Sequence, residues 1–142
     1  MGGAAVHAFG LVAAACLLGG MVFFAAILAP LVFTKLDGAT AARFIRATFP
    51  RYYLYVAIAA ALGAVGLVGA DRLSGAALLA VAAVTVWLRQ GLMPTLNRLR
   101  DAGLAGDAAS NTRFDLMHRI SVGVNMVQMA AVLLVVVRVG LG

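Results

Sequence analysis

From Ala8 to Thr34 the chain carries no charged side chain. A bilayer's hydrocarbon core takes about 20 consecutive apolar residues to cross as a helix, so this run is long enough to span. Tyr52 to Ala70, Leu73 to Leu88 and Ile120 to Val137 repeat the pattern. Four spans follow, at about 5–33, 51–70, 73–94 and 114–138. A soluble fold of 142 residues has no interior large enough for a chain that is 64% hydrophobic, with a mean hydropathy of +1.04. The surplus apolar surface must face lipid. The expected fold is therefore all-α: a four-transmembrane-helix antiparallel bundle forming a single membrane domain over residues 1–142. The first span lacks a positive flank and a small-residue cleavage site, so it is expected to be retained rather than removed as a leader.

Eleven Lys and Arg against five acidic residues give a net charge of +6. In a soluble protein that balance would suggest nucleic acid, but here its distribution reads as topology, with no nucleic-acid partner. Lys35, Arg43, Arg46 and Arg51 lie between the first two spans, and Arg98, Arg100 and Arg113 between the last two. By the positive-inside rule both long connections face the cytoplasm and both termini the outer side. Arg138 alone disagrees, and is expected to snorkel outward.

Residues 38–49 are amphipathic, with Asp37 placed to cap them, and read as a short interfacial helix lying between the first two spans. The Asp71–Gly75 connection is short enough to make the second and third spans an antiparallel hairpin. Ala59, Ala60, Gly63, Ala64, Gly66 and Ala70 let backbones approach closely in lipid. Pro94 should end or kink the third span, and Gly103 to Asn111 reads as a loop. The single Cys16 excludes an internal disulfide and reads as a small packing residue.

At 100° per residue the fourth span gathers Phe114, His118, Ser121, Asn125 and Gln128 on one stripe. Polar side chains in a span face protein or water, because hydrocarbon offers them no partner. Two readings stand. The stripe ties helices together by hydrogen bonds, or it lines a polar path or ligand pocket running inward from His118. Tyr53, Tyr52, Arg89, Gln90, Met93 and Asp115 are expected at a similar depth to His118, so Tyr53 and Arg89 join the candidate binding residues. Arg89 requires either an acidic partner such as Asp115 or an escape to the interface.

Haem ligation by two histidines would need His7 and His118 on one iron, but they begin spans on opposite sides, about 30 Å apart along the bundle. Single-histidine ligation leaves Met93 or a tyrosine opposite. A copper site would draw on His118 with thioethers such as Met93. The sequence contains no nucleotide-binding loop, zinc-hydrolase motif, serine-hydrolase elbow or intramembrane carboxylate pair.

Gly19-Gly20-Met21-Val22-Phe23-Phe24, then Ala29-Pro30 and Phe33, Phe49-Pro50 with Tyr52-Tyr53, Pro94 with Asn97 and Arg98, Arg100-Asp101, and finally Phe114, His118, Ser121-Val122 and Asn125 occur in that order. This ordered set resembles the bacterial relatives of transmembrane protein 205, a family of small four-span membrane proteins of unknown function. It is distantly similar to the CopD copper-resistance membrane domain and to small membrane protoporphyrinogen oxidases. The resemblance implies metal or haem handling in a bacterial inner membrane. The chain lacks the paired intramembrane histidines that haem would require.

Together these features lead to the expectation of a non-enzymatic multi-pass membrane protein that binds or helps to move a small solute or a soft metal ion such as copper. A homo-oligomer would supply the room that four spans lack for alternating access. The candidate binding residues are His118, Ser121, Asn125, Gln128, Tyr53 and Arg89, with His118 and Met93 for a metal. Alternatives are a haem-binding membrane oxidoreductase and a structural or assembly partner.

Overall fold

Helix dominates because the chain is a succession of long apolar runs punctuated by aspartates that cap helices. The computed structural model describes residues 2–142. Four helices are long and apolar enough to cross a membrane: α1 (Gly2–Lys35), α2 (Gly38–Leu67), α3 (Arg72–Leu104) and α4 (Ala108–Leu141). Three of the four begin on an aspartate. Asp37 accepts from the Ala39 and Thr40 amides, Asp71 from those of Leu73 and Ser74, and Asp107 from that of Ala109. Each satisfies donors that the first helical turn leaves unpaired.

Short connections force an up-down-up-down order, with α1 beside α2, α2 beside α3, α3 beside α4, and α4 closing onto α1. The other two pairings lie across the diagonals of the bundle. The core is a continuous cluster running from Ala14, Leu17 and Met21 on α1 through Val56 and Ala60 on α2 and Leu78 and Leu88 on α3 to Val132 on α4. At 1.5 Å per residue the 34 residues of α1 and of α4 each reach about 51 Å, against about 30 Å of hydrocarbon. The bundle therefore extends well beyond the apolar layer.

The segment 38–49 is helical from the expected cap, but it is not a separate interfacial helix: it continues without a break through Pro50 into the second span. Proline removes one N–H, leaving the Arg46 carbonyl without its usual partner, and the surrounding packing carries the helix through. The third span likewise passes Pro94 and ends at Leu104, and α4 begins at Ala108, so the expected loop at 103–111 shrinks to Ala105–Asp107.

α1 and α3 meet their prolines differently. In α1 the Ala29 amide reaches back five residues to Phe24 O, and in α3 the Met93 amide reaches Leu88 O. These widened π turns span Phe24–Leu28 and Leu88–Leu92, each ending two residues before a proline. A proline ring crowds the carbonyl four residues back, and one extra residue per turn moves that carbonyl aside.

At the end carrying Asp71, the carboxylate takes Ser74 Oγ at 2.8 Å and the Arg138 Nε at 2.6 Å. Arg138 is thus held by an ion pair between α4 and the start of α3. At the opposite, basic end, Arg46 and Asp101 are 2.6 Å apart, joining the extensions of α2 and α3. Cys16 is exposed, and its backbone carbonyl accepts from the Tyr55 hydroxyl.

Candidate functional site

The polar stripe of α4 turns inward. Ser121 and Gln128 are buried and Asn125 is half-buried. Ser121 Oγ and the Tyr53 hydroxyl are 3.2 Å apart, and Tyr52 donates to Asn125 Oδ1 at 3.2 Å. Both bonds cross the diagonal between α2 and α4. The tyrosine side chains are long enough to bridge helices that are not backbone neighbours.

One turn further along α4, the Gln128 amide nitrogen donates to Thr85 Oγ1 at 3.0 Å and to Val81 O at 3.1 Å. Thr85 itself donates to Val81 O at 2.7 Å. From Ser121 to Gln128 these contacts rise about 10 Å along the axis. Among the described residues no buried side-chain nitrogen or oxygen lacks a hydrogen-bond partner. Satisfying such groups matters more in lipid than in water, because nothing outside the protein can replace a missing bond.

An aromatic wall supports the two tyrosines. Phe24 stacks on Tyr52 with ring centroids 4.2 Å apart, and Phe49 meets Phe24 edge-on at 5.3 Å and Tyr53 at 5.5 Å. Phe24 opens the widened turn of α1. In the widened turn of α3, Arg89 donates through Nε to Pro50 O at 3.2 Å. Both irregular turns therefore abut the same short stretch of α2, from Phe49 to Tyr53.

The other sequence-derived candidates do not join this layer. His118 is exposed, its ring parallel to that of Phe114 at 5.8 Å, with the Arg100 guanidinium over Phe114 at 5.4 Å. It sits at the margin of the stripe, where α4 turns away from the interior. Met93 packs partly buried against the core. Asp115 is exposed and takes part in neither ion pair among the described residues, so the partner of Arg89 is the Pro50 carbonyl instead. Among the described residues no group of three or more His, Cys, Asp or Glu is close enough to hold a metal ion. His7 borders a cleft with Asp71 and Arg138, at the end of the bundle remote from His118.

Three contributors escape sequence reasoning. Thr85 hides in an apolar run, Phe24 enters the sequence reading only within the ordered set of the resemblance, and the Pro50 carbonyl becomes an acceptor only because α3 places Arg89 beside it. The available signals were the hydroxyl of Thr85 within a charge-free span and the place of Phe24 and Pro50 in that ordered set.

No curated protein and no solved structure matches the chain. A family profile described as a domain of unknown function, DUF4149, matches residues 12–105. The matched segment runs from α1 to the end of α3, taking in Tyr52, Tyr53, Thr85 and Arg89 and leaving α4 outside. The chain is an integral membrane protein belonging to the DUF4149 family.

Proposed function

We propose that this is a non-enzymatic membrane protein whose tyrosine, serine and asparagine layer binds a small polar solute, or helps one to move. The observation that carries the reading is the convergence of both widened turns on the Phe49–Tyr53 stretch, through Phe24 and Arg89. π turns inside α-helices recur at functional sites. A shift of either turn would move the α2 stretch that carries both phenols. The groups offered, two phenols, a hydroxyl and a carboxamide, are uncharged hydrogen-bonding partners and suit a neutral polar solute.

A soft metal ion is the narrower form of the same idea. Its donors would be His118 and Met93, yet His118 stacks on the surface and Met93 packs on the core. Haem fares no better, because His7 and His118 occupy opposite ends. Neither group fits the residues present. The positive-inside distribution supports the basic end being cytoplasmic.

A thermal-unfolding screen in detergent tests the proposal, using urea, acetamide, glycerol and copper(I) as probes on wild type, Tyr53→Phe and Asn125→Leu. The expected result is stabilisation of wild type by at least one neutral probe, lost in both variants. No shift in wild type, or equal shifts in all three proteins, would leave the layer as helix-to-helix hydrogen bonding alone.

A further inference from the structure

Charges fix where the apolar layer ends. Counting 1.5 Å per residue, Arg51 lies about 30 Å from Asp71, Arg89 about 25 Å from Arg72, and Arg119 about 28 Å from Arg138. Three helices thus place an arginine at one depth, the edge of the hydrocarbon on the basic side. Trp87 marks the same level. It is 59% exposed, and its indole nitrogen lies toward Gly91, one turn nearer the basic end. Tryptophan favours this interface because its ring sits in the apolar layer while its N–H reaches headgroups.

Arg89 is unusual among these arginines. It is half-buried between α2 and α3, and its Nε is pinned to the Pro50 carbonyl. Neither ion pair among the described residues involves it, so its positive charge meets no carboxylate. Arg51 follows Pro50 immediately, and it too is in neither ion pair. Its own bond, to Ala47 O, is within its helix. The two guanidinium groups thus bond to carbonyls three residues apart on α2, Arg89 to Pro50 O and Arg51 to Ala47 O, and neither is in an ion pair among the described residues. Beyond them, toward the centre of the bilayer, Leu54, Ile58 and Trp87 present exposed apolar surface.

We propose that the crevice between α2 and α3 at Arg89, beside Arg51, binds the phosphate of an anionic phospholipid, whose acyl chains lie along Leu54 and Ile58. A guanidinium fixed by one nitrogen keeps its outer N–H donors oriented for phosphate oxygens. Leu54 and Ile58, exposed about one and two turns further into the bilayer on the Arg51 side of α2, favour a lipid over a soluble anion. The basic end adds attraction for an anionic leaflet: it carries Lys35 and eight arginines against Asp37, Asp101, Asp107 and Asp115.

Native mass spectrometry of the full chain, taken from micelles containing equal phosphatidylglycerol and phosphatidylcholine, tests this. Wild type should retain phosphatidylglycerol selectively, and Arg89→Gln should reduce that retention about fivefold, the effect expected of one arginine at an anionic surface. Arg89→Lys should retain part of it, and Arg138→Gln, at the far end, all of it. Should Arg89→Gln fail to fold, the exposed Arg51→Gln decides, again by reduced retention. Equal retention of the two lipids by wild type, or unchanged selectivity in both Arg89→Gln and Arg51→Gln, overturns the proposal. Displacement of phosphatidylglycerol by excess inorganic phosphate would also overturn it, by making the crevice a soluble-anion site.

Discussion

Gly10 on α1 and Gly66 on α2 meet backbone to backbone: a methyl group added to Gly10 would lie 2.7 Å from the Gly66 carbonyl carbon. No side chain separates the helices there, and Gly63 extends the contact, with Gly10 O and Ala14 N both 3.6 Å from where its Cβ would be. Close approach of this kind replaces the hydrophobic drive that lipid removes.

Gly66→Val should therefore destabilise the bundle by about 1–3 kcal/mol, the usual cost of forcing atoms into a packed interface. Gly19→Val, where an added Cβ meets nothing within 4 Å, is the matched control and should leave unfolding in detergent almost unchanged.

Gly20 makes room for the ring of Tyr55, whose hydroxyl reaches the Cys16 carbonyl on α1. Gly20→Ala should be destabilising alone and close to neutral when combined with Tyr55→Ala. The informative quantity is the coupling in a double-mutant cycle, expected at about 0.5–3 kcal/mol for residues in contact. Strict additivity would mean that the two do not touch in the folded protein.

Gln128→Leu removes the bonds to Thr85 and Val81 O but leaves Thr85 bonded to its own helix. The cost should be modest, about 0.6 kcal/mol and below about 1.7 kcal/mol, as for interhelical bonds in other membrane bundles. Equilibrium unfolding in mixed micelles measures it. A loss of several kcal/mol would show that Gln128 does more than tie α4 to α3.

Asp71 should set part of the acid limit of stability. The hydrogen bond from Arg138, then that from Ser74, lowers its carboxyl from 3.8 to about 2. A lowered folded-state value means the contribution is complete above about pH 4 and is lost as pH falls toward 2. Asp37 and Asp107 are lowered in the same direction, chiefly by side-chain bonds with Thr40 and Ser110. Asp71→Asn should flatten part of the fall in unfolding temperature between pH 4 and pH 2 and leave the other aspartates' share.

Charge-free runs made the four spans legible, because hydrocarbon tolerates few alternatives. The inward direction of Ser121, Asn125 and Gln128 was legible for the same reason, since polar groups on one stripe must find protein. Continuity through Pro50 was not, because a proline's local preference to stop a helix is overridden by neighbours on both sides. The widened turns before Pro30 and Pro94 were equally hidden: they answer a steric conflict between a proline ring and a particular carbonyl. His118 shared the angular range of the stripe, but stacking on Phe114 holds it outside, and a helical wheel contains no depth or neighbour information. Arg89 needed a partner, as the sequence implied, yet a backbone carbonyl of another helix leaves no mark in composition or spacing.

Thiol labelling of Ser121→Cys in a Cys16→Ala background tests most directly whether the tyrosine layer is a site that opens. With a charged, water-soluble methanethiosulfonate added from the basic side of oriented vesicles, the Ser121→Cys thiol should be modified slowly and that of a lipid-facing Gly123→Cys control not at all. Complete protection of the Ser121→Cys thiol, under conditions where an exposed Asp101→Cys variant reacts fully, would contradict a layer that opens. The layer would then be a sealed set of hydrogen bonds.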